Sequence, residues 1–131
     1  MKVICIQNII DSNLAKQVDF PRRAPTDYRS EITIGKEYVV LGLCYIPSPL
    51  YWAGKPAISI KDDDGDLSFV PIFLFEIIDP RPSKFWQIRY NDDGSLEMYP
   101  EAFYRNFFHD DLSEGVPEIK ADFIKIVDPE E

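Results

Sequence analysis

Ala-Ile-Ser-Ile-Lys-Asp-Asp-Asp-Gly-Asp-Leu-Ser-Phe-Val-Pro, residues 57–71, decides how this chain is read. Ala57 to Lys61 alternates apolar and polar side chains, Asp62 to Asp66 has turn composition, and Leu67 to Val70 returns with strand character. Asp-Gly between two such runs is a strong hairpin signal. Pro71 cannot donate a ladder hydrogen bond, so Pro71 to Leu74 is predicted to leave the sheet as a short turn. Phe75 to Asp79 then resumes a strand, which Pro80 and Pro82 end.

The pattern recurs downstream. Phe85 to Tyr90, the turn Asn91 to Ser95 and Leu96 to Tyr99 read as a second hairpin. At an offset of 29, Asp63, Asp64, Gly65, Leu67 and Pro71 fall on Asp92, Asp93, Gly94, Leu96 and Pro100. Shared turn chemistry and internal duplication both account for this, and the strand residues before the glycines do not align in phase.

Upstream, Lys2 to Gln7 reads as a strand, and Asn8 to Ser30 as a long loop with a helical turn around Leu14 to Val18. Ile32 to Leu43 reads as two strand-like pieces around a turn at Gly35. Pro47, Pro49, Gly54 and Pro56 mark a further loop carrying Tyr51 and Trp52. After Pro100 the period changes. Phe103 and Phe107, and Tyr104 and Phe108, are spaced by four, which predicts a short helix over 100–110. Ile119, Phe123, Ile126 and Val127 make an amphipathic helix of 116–127; a final strand is the alternative, because Phe123 to Pro129 resembles Leu74 to Pro80.

With 131 residues, 45% of them apolar, the chain has material for one domain with a real core. Its net charge of -9 is the wrong sign for gripping phosphate backbones, so nucleic acid is excluded as an expected partner. The acidity is local: residues 1–55 carry +2 and residues 56–131 carry -11. The apolar run Tyr38 to Ile46 is about half of what a bilayer crossing needs, and no signal-peptide core is present, so neither membrane nor export is expected. Cys5 and Cys44 lie in apolar strand-like runs and point to a reducing cytoplasm.

Catalytic signatures are weak throughout. Calcium-loop spacing fails at both acidic turns, because placing Gly65 or Gly94 at the invariant glycine puts Ile60 or Arg89 where a carboxylate is required. No metal or other cofactor is expected. His109 stands at a predicted helix end beside Asp110 and Asp111, whose side chains point elsewhere. Glycine-rich phosphate loops are absent. Arg22, Arg23, Arg29 and Lys36 form the one basic concentration, fitted either to an acidic ligand or to pairing with the protein's own acidic half.

The element order, with Ile-Thr-Ile-Gly-Lys-Glu-Tyr at 32–38, the Asp-Asp-Gly hairpin and Phe-Glu-Ile-Ile-Asp at 75–79, resembles small bacterial and phage proteins with an SH3-like barrel. That resemblance implies an SH3-like antiparallel β-barrel over 2–79; with the β-hairpin and C-terminal helices read from turn chemistry and spacing, the expected fold is α+β in a single domain of 1–131. Phe69 and Val70 stand where that pattern usually has an aromatic pair. In size, acidity and lack of catalytic residues the chain also looks like the cytoplasmic immunity proteins that neutralise contact-dependent inhibition toxins. This second resemblance implies a non-enzymatic inhibitor of a cognate, basic protein toxin. Its candidate contacts are the acidic clusters Asp62, Asp63, Asp64 and Asp66; Asp92 and Asp93; and Asp110, Asp111 and Glu114. The candidate aromatic anchors are Tyr51, Trp52, Trp86 and Tyr99. An SH3-like adaptor binding a peptide or small ligand through Tyr51 and Trp52 is the alternative. The oligomeric state is open at this level.

Overall fold

The computed structural model describes residues 1–11, 13–14, 28–29, 31–48, 54–104, 112, 115, 117–119 and 121. Ten strands lie in this part: β1 Lys2–Cys5, β2 Ile9–Ile10, β3 Tyr28–Arg29, β4 Glu37–Val39, β5 Gly42–Tyr45, β6 Ala57–Lys61, β7 Leu67–Pro71, β8 Phe75–Asp79, β9 Trp86–Tyr90 and β10 Leu96–Pro100. They form a three-stranded sheet in the order β4-β1-β8, a five-stranded sheet in the order β7-β6-β5-β10-β9, and a two-stranded β2-β3 ladder. Every pairing is antiparallel.

Both hairpins form where turn chemistry places them, yet the barrel does not. Pro71 ends β7, and a 3-10 turn at Ile72–Leu74 carries the chain out of the larger sheet before β8 joins the smaller one. The Ile72 N–H bonds the Pro56 carbonyl at 3.0 Å and holds that exit. Strands β7 and β8 therefore serve different sheets, and the described strands make two open sheets and a short two-stranded ladder instead of a closed SH3-like barrel. The hairpin of β9 and β10 is no appendage either, because β10 pairs directly with β5 in the larger sheet.

The α+β expectation is also corrected: the described residues are mostly β. Pro100 is the last residue of β10, not part of a helical first turn, and Glu101–Tyr104 forms a single 3-10 turn. The rest of the helix expected over 100–110 lies outside the described residues. Of 116–127, only Pro117, Glu118, Ile119 and Ala121 are described, with helical backbone, so no complete C-terminal helix is present among the described residues. The helical turn expected over 14–18 is described only at Leu14, whose N–H bonds Asp11 Oδ1 at 2.9 Å.

Strand alternation sorts the larger sheet's side chains onto two faces. Ile58, Ile60 and Val70 point to the smaller sheet and pack with Val3, Cys5, Tyr38, Val40, Leu74 and Phe75. Fully burying a side chain such as Ile58 contributes about 1.5–3 kcal/mol. On the opposite face Tyr99 and Leu41 pack with Ala102 and Phe103 of the 3-10 turn, and Cys44, Leu67, Tyr104 and Ile119 surround them. The smaller sheet covers one face, and Ala102, Phe103, Tyr104, Leu112 and Ile119 pack on the other. No helix of the described residues is long and apolar enough to cross a membrane.

Candidate protein-binding platform

The turn between β6 and β7 is built by its first aspartate. Asp62 N–H bonds the Asp66 carbonyl at 2.9 Å, Gly65 N–H bonds the Asp62 carbonyl at 3.0 Å, and Gly65 takes φ +84°, which favours glycine. Asp62 is buried, and its Oδ1 accepts the N–H groups of Asp64 at 3.0 Å and Asp66 at 2.9 Å, while Oδ2 accepts the Ser68 hydroxyl. This is an Asx-capped turn, and the Asp62 carboxylate is consumed in making it.

Asp63 points the other way and clamps a second turn. Its Oδ1 accepts Lys36 Nζ at 2.7 Å and the Tyr38 hydroxyl at 2.8 Å, and its Oδ2 accepts the Thr33 hydroxyl at 2.6 Å. The Tyr38 hydroxyl in turn accepts the Thr33 N–H at 2.8 Å, and the Asp63 N–H bonds the Glu31 carbonyl at 3.0 Å. The Lys36 ammonium, followed by the Thr33 and Tyr38 hydroxyls, pulls the Asp63 carboxyl down to about 2. The same contact raises Lys36, and burial raises Tyr38. Of the basic residues singled out in the sequence, Lys36 pairs with the protein's own acidic half.

The two turns together form one rigid acidic end. Glu31, Asp63, Asp64 and Asp66 are exposed around it, and Ile34 stands 54% exposed at the tip of the Thr33 to Lys36 turn. Lys36 and Lys61 offset part of the charge. Beside this end a cleft of about 450 Å³ is lined by Lys2, Lys36, Lys61, Tyr38, Glu37 and Asp62, among others. Its lysines and carboxylates nearly balance, so it has no strong preference for an anion. Ligand atoms of Asp62, Asp64 and Asp66 lie within 4.8 Å of one another, but both Asp62 oxygens already accept hydrogen bonds from the turn.

The second acidic turn repeats the backbone geometry with Asn91 in place of Asp62. Asn91 N–H bonds the Ser95 carbonyl and Gly94 N–H bonds the Asn91 carbonyl, both at 2.9 Å, with Gly94 at φ +86°. Asp93 caps the Ser95 N–H at 2.9 Å, and Ser95 holds its carboxyl below the ordinary value. Asp92 and Asp93 are exposed. The register nevertheless separates the two turns. Strand β5 pairs β6 from Gly42↔Ser59 to Cys44↔Ala57 and pairs β10 from Leu43↔Met98 to Tyr45↔Leu96, so the turns leave opposite ends of the sheet. At about 3.3 Å per residue they are at least ~16 Å apart along the strands. The hairpins also dock differently, the first through β6 and the second through β10.

Two of the candidate anchors are occupied inside the fold. Tyr99 is 8% exposed, with ring centroids 5.6 Å from both Phe103 and Tyr104, and burial pushes its hydroxyl well above the ordinary range. Trp86 is half-buried and its indole N–H bonds the Leu41 carbonyl at 2.9 Å. Tyr51, Trp52, Asp110, Asp111 and Glu114 lie outside the described residues, as does His109. The sequence reading missed Glu31, Thr33, Ile34 and Tyr38. Ile32-Thr33-Ile34 imitates a strand, and nothing local announces that Asp63, some thirty residues on, holds Thr33.

Comparison with protein-family models, with curated proteins and with solved structures finds no match.

Proposed function

We propose that this chain is a non-enzymatic, immunity-type protein that binds and neutralises a basic protein toxin, docking through the acidic end formed by the turns at 33–36 and 62–66. The observation that carries the reading is the Asp63 clamp. Thr33, Lys36 and Tyr38 tie Asp63, and with it the turn that carries Asp64 and Asp66, to the turn that exposes Ile34, which supplies an apolar contact that charge alone does not. A surface held in place before encounter loses little ordering entropy on binding. Its negative potential speeds encounter with a basic partner and disfavours acidic ones. Cys5 and Cys44 are both free thiols, in keeping with a cytoplasmic site of action.

The reading is tested by co-expression. A basic protein encoded immediately upstream should arrest growth when expressed alone, and this chain should relieve the arrest. Relief should weaken when Ile34 is replaced by Asp or when Asp64 and Asp66 are both replaced by Lys. If every variant protects as well as the native chain, this end of the molecule is not the docking surface. If the native chain gives no protection at all, the immunity reading is wrong.

A further inference from the structure

Strand β9 is an edge of the larger sheet, and among the described residues it has few of the features that usually keep an edge from pairing. It pairs with β10 over five residues without a bulge, contains no proline, and carries one charge, Arg89. On the face toward the smaller sheet it presents Trp86, Ile88 and Tyr90, of which Ile88 is 68% and Tyr90 78% exposed. Trp86 packs against the core between the sheets, and Ile88 and Tyr90 stand outside that cluster. Because Asn91 N–H turns inward to Ser95, strand alternation turns the backbone groups of Arg89 and Gln87 toward β10, and those of Ile88 and Tyr90 outward.

We propose that β9 pairs antiparallel with β9 of a second copy about a two-fold axis through Ile88, joining two five-stranded sheets into one of ten strands. In that register Ile88 meets Ile88 of the second copy, and the two exchange both backbone hydrogen bonds. Trp86 meets Tyr90 on the same face, so each exposed apolar side chain gains an apolar neighbour. On the other face Gln87 meets Arg89, so the two arginines do not oppose each other. Beyond the ladder, Lys84 of each copy comes level with Asp92 of the other, so opposite charges meet at both ends although each copy carries -9. Both Lys84 and Asp92 are exposed. An isologous contact requires this self-complementarity, and the sequence Lys-Phe-Trp-Gln-Ile-Arg-Tyr-Asn-Asp, read against itself about Ile88, supplies it. The acidic end proposed above lies across the sheet from β9 and remains uncovered in the dimer.

Sedimentation of the full chain between about 5 and about 500 µM should show monomer passing to dimer by mass action. Amide exchange at Ile88 and Tyr90 should slow as concentration rises, with Arg89 unchanged. Ile88→Lys should leave the circular dichroism spectrum intact and abolish the dimer, since it sets two like charges on the axis. Ile88→Pro should do the same, because proline is tolerated where an edge N–H faces outward. Lys84→Glu and Asp92→Lys should each weaken association about tenfold at low salt, and the combined variant should restore it. If Ile88→Pro disturbs the fold, the charge exchange still decides the register. A monomer over the whole range, a dimer indifferent to Ile88→Lys, or a charge exchange without restoration would overturn the proposal.

Discussion

Replacing Gly42 by Ala should destabilise the protein, against the usual expectation for glycine in a strand. Gly42 opens β5, and a Cβ there would fall 2.3 Å from Cδ1 and 2.8 Å from Cε1 of Tyr99, and 3.2 Å from the Met98 carbonyl oxygen. Carbon atoms sit comfortably at about 3.5–4.0 Å, so the ring would have to retreat by more than ~1 Å. It has little room to do so. Tyr99 is 8% exposed and wedged against Phe103, Tyr104 and Phe69, with the Phe69 centroid 6.5 Å away. Overpacking of this kind costs about 1–3 kcal/mol, while alanine recovers about 0.5–1 kcal/mol of backbone entropy relative to glycine. The net is a loss of about 1–2 kcal/mol, which lowers the urea midpoint by about 0.5–1 M at the slopes usual for small domains. Urea unfolding followed by tryptophan fluorescence reads this directly. In a Tyr99→Leu background the penalty should vanish or reverse, and the difference between backgrounds measures the coupling. A higher midpoint for Gly42→Ala in the native background would show that the glycine is not there to admit the ring.

Four further outcomes are expected. Asp63 has a folded pKa near 2, below its unfolded value, so its stabilisation is fully present above about pH 4 and is lost as pH falls toward 2. The urea-midpoint gap between the native chain and Asp63→Asn should therefore narrow on acidification, and a widening gap would contradict the clamp. Tyr38→Phe removes both the donor to Asp63 and the acceptor for Thr33 N–H; it should cost about 1–2 kcal/mol and speed Thr33 amide exchange, and unchanged exchange would count against it. The buried Ser59 hydroxyl has no hydrogen-bond partner among the described residues, so Ser59→Ala should leave stability unchanged or raise it by up to ~1 kcal/mol in thermal unfolding. Neutralising the exposed Asp64 and Asp66 to Asn should move stability by less than ~0.5 kcal/mol and slow association with a basic partner, by a factor that shrinks as salt rises.

What could be read in the sequence was local. The turns at 62–66 and 91–95, the strand exits at Pro71 and Pro100, and β8 over Phe75–Asp79 all follow from residues within a few positions of one another. What failed was non-local. Whether β7 and β8 share a sheet depends on where the turn after Pro71 aims the chain, and alternation alone does not encode that direction. Trp86 and Tyr99 have the composition of interface anchors, yet register places Tyr99 under the 3-10 turn and Trp86 against Leu41. Phe103 was expected in a helix from its fourfold spacing to Phe107, and it sits instead in a 3-10 turn, buried beside Tyr99. The acidic clusters were visible as composition, while the use of Asp62 and Asp63 as internal fasteners depended on Ser68 and on a segment around Thr33.

The position of β5 between the two hairpins has a kinetic side. Each hairpin closes over a five-residue turn and can form by itself in about 1–10 µs. The ladder uniting them joins Tyr45 to Leu96 and Leu43 to Met98, and the smaller sheet joins Lys2 to Asp79. Such distant partners must wait for long loops to close, so capture of the hairpins by β5 is the step expected to limit refolding. Substitutions at Leu43, which pairs with both Ile58 and Met98, should slow refolding. Those in the turns at 62–66 and 91–95 should act chiefly before that barrier, on how often a hairpin is ready to be captured.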